Sequence, residues 1–149
     1  MNILLVEDRM ADAVLVKKLL ERFAPAGTVP KIEHVESLAQ AVDALEHKTF
    51  DCVLLDLGLP DGRGLTNLRR VRSIRPDAPV VILSGIEDER TAVAAVEAGA
   101  SSYIVKRSFH DSDNIYAHVA AAAANQPAND RQERPELEDA GRLRVDADG

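Results

Sequence analysis

Five polar side chains follow directly on short apolar runs: Glu7 and Asp8 after residues 3–6, Asp56 after 53–55, Ser84 after 80–83 and Lys106 after 103–105. Three carboxylates gathered at one place repel one another, raising at least one pKa at a cost in stability, so something positive belongs among them. Hard oxygen donors with room for water suit Mg²⁺, which takes one or two protein carboxylates and fills its shell with water and phosphate oxygens. Beside such an ion the Asp56 carboxylate can attack a phosphoryl group in line. Lys106 then supplies a point charge for one phosphoryl oxygen and Ser84 a hydroxyl donor for another. Taken singly, each residue has an ordinary reading. Glu7-Asp8 is a turn or helix start, Asp56 before Gly58 and Pro60 is turn chemistry, Ser84-Gly85 opens a loop, and Lys106 is a solvated charge. Their joint placement at the ends of successive runs is what points to chemistry.

Such convergence needs a scaffold, and the spacing of apolar residues predicts one. The runs 3–6, 53–55, 80–83 and 103–105 are continuously apolar, as strands covered on both faces are. A weaker run at Lys31–Val35 offers another strand. Between them Val16, Leu19, Leu20 and Phe23 share one helical face, and Leu38, Ala41, Val42 and Leu45 share a second. Ser37 with Gln40 makes a capping box for that second helix. Leu65, Leu68 and Val71 mark a third helix, Val93 and Val96 a fourth ending near Gly99, and residues 115–124 a fifth before Pro127. The order is βα repeated five times, which predicts a mainly parallel sheet wrapped by helices through right-handed crossovers. Open sheets of this kind bind ligands beyond the carboxyl ends of their strands, the side on which all five polar residues fall.

Composition narrows the classes of function. The chain has 149 residues, 46% of them apolar, enough for one domain with a genuine core and short for two. A net charge of −7 argues against a general nucleic-acid surface, which needs a basic face. The single cysteine, Cys52, rules out a disulfide framework and a cysteine zinc site, and its apolar surroundings make it a buried hydrophobe. His34, His47, His110 and His118 show no ligand spacing and are expected at the surface or an edge. The start MNILLVEDRM has no basic n-region and reaches its acids after four apolar residues, so it is neither signal peptide nor membrane span, and a cytoplasmic location is expected. Residues 125–149 carry seven acids and four arginines but only Leu137, Leu143 and Val145 as sizeable apolar side chains. They are expected to form an acidic, disordered tail, with 133–140 as its one candidate helix, behind a domain of residues 1–124.

Residues 1 to about 124 resemble the receiver domain of two-component response regulators. The resemblance is carried by ILLVED at the first strand, by DCVLLDLGLPDGRG with Asp56, Pro60 and Gly64, by VVILSG with Ser84, and by EAGASSYIVK with Tyr103 and Lys106. It implies a flavodoxin-like (βα)5 fold, a doubly wound five-stranded parallel sheet in the order 2-1-3-4-5. It also implies Asp56 as phosphoacceptor, Mg²⁺ held by Glu7, Asp8, Asp56 and the Gly58 carbonyl, and Ser84 with Tyr103 as the switch pair. The donor implied is the histidine of a sensor kinase or phosphotransfer protein. The readout would be the face built on the fourth and fifth helices, acting on a downstream protein that the sequence does not identify. On this reading the chain is a signalling protein that catalyses its own phosphotransfer and slow dephosphorylation, not a turnover enzyme.

Some features depart from the commonest pattern of that family. Arg107 stands where many receivers have a proline after a cis peptide, so the loop after Lys106 is expected to differ. Gly58 and Ile86, at positions that tune phosphoryl lifetime, offer no acid or amide to orient water, which implies slow hydrolysis. GLPDGRGL and VKRS resemble receivers found alone or joined to other signalling modules. No DNA-binding or catalytic motif follows residue 124, so a single-domain regulator acting by protein contact is expected, either monomeric or a homodimer through the fourth and fifth helices. Two other readings compete: a receiver-like module that is never phosphorylated, and an aspartyl-nucleophile phosphatase. The latter usually carries a second aspartate two residues after the nucleophile, where this chain has Gly58.

Overall fold

The apolar runs become the centre of a sheet because nothing along them needs water. In a computed structural model, which describes residues 1–85, 88–106 and 114–125, strands β1 (Asn2–Val6), β3 (Cys52–Asp56) and β6 (Val80–Ser84) are buried almost throughout. The weaker run forms β2 (Lys31–Val35), half-exposed at one edge. Two further short strands, β4 (Gly58–Leu59) and β5 (Gly62–Arg63), make an antiparallel hairpin. At the other sheet edge lies β7 (Ser102–Val105). The main sheet runs β2-β1-β3-β6-β7, all parallel. Counting only its own members, this is the expected order 2-1-3-4-5.

Helices α1 (Met10–Phe23), α2 (Leu38–His47), α3 (Leu65–Ile74), α4 (Glu89–Glu97) and α5 (Asn114–Ala124) cover the two faces. Because side chains alternate along a strand, the core divides into two clusters. One joins Leu4, Val6, Val53, Leu55, Val80 and Ile82 to α2, α3 and α4. The other joins Ile3, Leu5, Cys52, Leu54, Val81 and Leu83 to α1 and α5. Cys52 is fully buried, and burial pushes its thiol up to about 12, so it acts as a small apolar side chain.

Helix ends follow local chemistry. The Ser37 hydroxyl accepts the Gln40 amide at 3.1 Å, while the Gln40 side chain reaches back to the Glu36 amide at 2.7 Å, one residue earlier than the capping box predicts. Asp61, in the hairpin turn, adds a second cap by accepting the amides of Leu38 at 2.8 Å and Ala39 at 2.9 Å. Those amides hold the Asp61 carboxyl below its usual range. α4 closes at Gly99, where φ is +109°, with Gly99 N–H donating to Val96 O and Ala100 N–H to Ala95 O. This paired pattern at a left-handed glycine ends the helix where the sequence predicts.

The apolar residues that mark a helix by their spacing are not all the ones it buries. Val93 and Val96 do not face the core: they are 50% and 53% exposed, and the buried residue of α4 is the small Ala95. Phe23 is exposed at the end of α1, whose inward face is Ala13, Val16 and Leu20. The β4–β5 hairpin interrupts the simple βα repeat. The expectations for Ile86, Arg107 and His110, and for the tail after Asn125, lie outside the described residues. Among the described residues no helix is long and apolar enough to cross a membrane.

Candidate functional site

Register decides which polar groups meet. Val6 pairs with Leu55, so Glu7 and Asp56 fall side by side one step further on, and Asp56 itself pairs with Leu83. By alternation both carboxylates lie on the α1/α5 face, and Lys106, two residues beyond the buried Ile104, lies there as well. Glu7 is fully buried and Asp56 is 4% exposed. A buried charge must be paired or neutralised.

Lys106 does the pairing. Its Nζ lies 2.6 Å from Glu7 Oε2 and 3.0 Å from both Asp56 Oδ2 and Asp12 Oδ2. The other Asp56 oxygen, Oδ1, accepts the Gly58 amide at 3.0 Å, and Glu7 Oε1 accepts the Arg9 amide at 3.0 Å. Burial pushes the Glu7 carboxyl up to about 7; the Lys106 ammonium and the Arg9 amide pull against this, and the nearby Asp56 adds to it. Burial alone would depress the Lys106 ammonium, but Glu7, Asp56 and Asp12 outweigh it and hold the group protonated.

The positive charge expected among the carboxylates is therefore partly supplied by the chain itself. Room for a divalent cation is also present. Ligand oxygens of Glu7, Asp8 and Asp56 lie within 4.8 Å of one another, with Asp8 exposed and the other two buried. Glu7 Oε2 is buried and accepts no hydrogen bond, its contact with the ammonium 2.6 Å away being an ion pair. A hard-oxygen set with one orphaned buried oxygen and one solvent-facing ligand fits Mg²⁺, which retains water in its shell.

The site opens as a cleft of about 520 Å³ lined by Asp8, Arg9, Asp56, Gly58, Ser84 and Lys106, among others. Ser84, 2% exposed, ends β6 opposite Val105. Tyr103 pairs with Ile82 and is half-buried against the α2–α4 cluster. Alternation thus puts Ser84 and Tyr103 on one sheet face and Asp56, Glu7 and Lys106 on the other. All of the sequence-predicted polar residues reach this edge except Tyr103, which lies two residues down its strand.

Two residues of the site went unforeseen. Asp12, in the first turn of α1, reads in sequence as an acid complementing the helix dipole. Asn67 reads as a polar residue of an exposed helix, yet it is fully buried, and its Nδ2 lies 2.9 Å from Gly62 O and 3.3 Å from both Asp56 O and Leu57 O. It ties the backbone that carries Asp56 to the hairpin. No spacing rule marks either residue; an asparagine among Leu65, Leu68 and Val71 was the one available signal. The histidines are as expected where described: His47 is exposed, His34 sits on the edge strand with Nε2 2.7 Å from Glu7 O, and His118 meets Ser102 Oγ at 3.0 Å.

A family model described as the response regulator receiver domain matches residues 3–120. The transcriptional regulatory protein ZraR of Escherichia coli strain K12 is 28% identical over 131 residues, covering 88% of this chain but 28% of that protein. The chain thus spans little more than a quarter of that relative's length. The receiver domain of the Francisella response regulator 1452 superposes with a TM-score of 0.71 at 19% identity, over 83% of this chain and 96% of that one. A Burkholderia pseudomallei response regulator, solved with a phosphorylated aspartic acid, calcium ion and citrate, superposes at 0.62 with 25% identity, over 92% of this chain and 76% of that one.

Proposed function

The chain belongs to the receiver domains of two-component response regulators, and from that premise we propose that residues 1–124 are a Mg²⁺-dependent phosphoacceptor with Asp56 as the reacting residue. The observation that carries this reading is the pair of restraints on Asp56, with Oδ1 on the Gly58 amide and Oδ2 on Lys106, in a cleft that Asp8 also lines, with the buried Glu7 carboxylate beside them. A carboxylate so held is oriented before any donor arrives, which is how positioning lowers a barrier.

In the reaction an Asp56 oxygen forms a bond to phosphorus as the phosphorus–nitrogen bond of a phosphohistidine breaks. The imidazole leaves with the bonding pair and takes up a proton. Glu7, Asp8, Asp56 and the Gly58 carbonyl would hold Mg²⁺, which would supply positive charge for the phosphoryl oxygens. Lys106 offers its ammonium to one of those oxygens and Ser84 its hydroxyl to another. A phosphoryl group adds charge and strong acceptors, so Ser84 is drawn toward it, and Tyr103, on the same face of the neighbouring strand, reports the shift toward α4 and α5 as a change in population. The donor is a sensor histidine kinase or phosphotransfer protein, and the output is protein contact in the cytoplasm, with the acidic segment after residue 124 outside the phosphoacceptor domain.

The test is incubation with acetyl phosphate and Mg²⁺, read by intact mass. Wild type should gain one acid-labile phosphoryl group, and Asp56→Asn none. Label on the variant, or an unlabelled wild type, overturns the assignment.

A further inference from the structure

Asp12 plays no part in the phosphoacceptor reading, on which this inference rests, yet it is one of three carboxylates on Lys106. Its Oδ2 accepts a hydrogen bond from Nζ at 3.0 Å. Its other ionic contact, Arg9 Nε, is longer at 3.7 Å, and that arginine side chain is 75% exposed, so Lys106 is the partner that matters. Among the described residues Nζ donates to Asp12 Oδ2 and Asp56 Oδ2, each at 3.0 Å, and Glu7 Oε2 stands 2.6 Å away as an ion pair, so three carboxylates hold the ammonium where it is. Moving toward an anion seated on Asp56 stretches these contacts, and the one that yields most easily goes first.

Burial says which. The Glu7 side chain is 0% exposed and that of Asp56 6%, whereas Asp12 keeps 28%. Water can take over the Asp12 carboxylate at small cost; it cannot do so for the other two.

We propose that Asp12 is a positioning residue that anchors Lys106 in the resting site and is the partner Lys106 gives up when a phosphoryl-like anion occupies Asp56. A contact present at rest and absent in the loaded site favours the resting state by its own strength. Asp12 therefore weakens binding of the anion. It has the opposite effect on the divalent cation, because it adds negative charge nearby.

The experiment measures two affinities by backbone NMR titration: Mg²⁺ alone, and beryllofluoride at saturating Mg²⁺. The proteins are wild type, Asp12→Asn, Asp12→Glu, Lys106→Gln and the Asp12→Asn/Lys106→Gln double variant. Asp12→Asn should bind beryllofluoride about two- to fivefold more tightly and Mg²⁺ more weakly by a similar factor, the size of one part-exposed ion pair. Asp12→Glu should return both values toward wild type, and in the Lys106→Gln background Asp12→Asn should no longer tighten beryllofluoride binding. Equal affinities in Asp12→Asn and wild type, a loss of both affinities as general loosening of α1 would give, or a tightening that survives without Lys106 each overturns the proposal. A wild type that binds neither probe removes the phosphoacceptor reading and this inference together; binding by wild type with no change in Asp12→Asn removes this inference alone.

Discussion

Strand β3 is bracketed by two aspartates with opposite fates. Asp51, just before the strand, accepts the Asn2 amide through Oδ2 at 2.7 Å in an exposed setting. Asp56, the last residue of the strand, is buried at 4% exposure between the Gly58 amide and the Lys106 ammonium. The same side chain therefore fastens a backbone at one end and joins a charge cluster at the other. At the amino end the carboxylate stays hydrated, and its bond to the Asn2 amide contributes as an exposed hydrogen bond does. At the carboxyl end the strands bring in Glu7 as well, and the cluster depends on one lysine. The difference teaches that function here is a matter of which sheet edge collects the charges, since the strand between is uniformly apolar.

The strongest way to break that contrast is to remove the lysine. Lys106→Met leaves Glu7, Asp12 and Asp56 without their cation and should destabilise the metal-free protein by about 3–5 kcal/mol, with Mg²⁺ restoring part of the loss. Chemical denaturation with and without Mg²⁺ measures this; an unchanged midpoint would show that the cluster is not held together by Lys106.

A smaller effect comes from Glu7, whose carboxyl rises from 4.5 to about 7 on burial. A carboxyl that holds its proton more tightly when folded contributes fully below about pH 4.5. That contribution drains away as the pH climbs to about 7. The metal-free protein should therefore lose up to about 3 kcal/mol across that window, while Mg²⁺ affinity grows over the same range. Glu7→Gln should flatten both trends in melts recorded at several pH values; equal slopes in the two proteins would argue against a shifted Glu7.

The smallest effect lies at the other end of β3. Asp51→Asn should cost about 0.5–1 kcal/mol and leave uptake of phosphoryl from acetyl phosphate unaltered. A fall in uptake would mean that the two ends are coupled.

Much of this contrast is legible in the residues. The five polar positions that end apolar runs place Glu7, Asp8, Asp56, Ser84 and Lys106 on one edge because parallel strands in register align their termini. Asp12 and Asn67 stay hidden because they reach the site from helices, where a single polar residue has several equally good uses. Val93 and Val96 mislead for a related reason: their spacing matches an inward stripe, but α4 turns Ala95 inward and leaves both valines at the surface. The hairpin of β4 and β5 escapes notice because two-residue strands carry no period.

Gly62 and Asn67 impose a further constraint. A Cβ added at Gly62 would collide with Asn67 Oδ1 and with the Leu38 side chain, and that same Oδ1 is buried without a hydrogen-bond partner. Neither position is free to vary alone: a larger residue at 62 needs a smaller one at 67, while a residue at 67 without an amide abandons three carbonyls of the phosphoacceptor segment. The two sites should therefore drift as a pair through sequence space, and grafting this loop onto another receiver should succeed only when both are carried across.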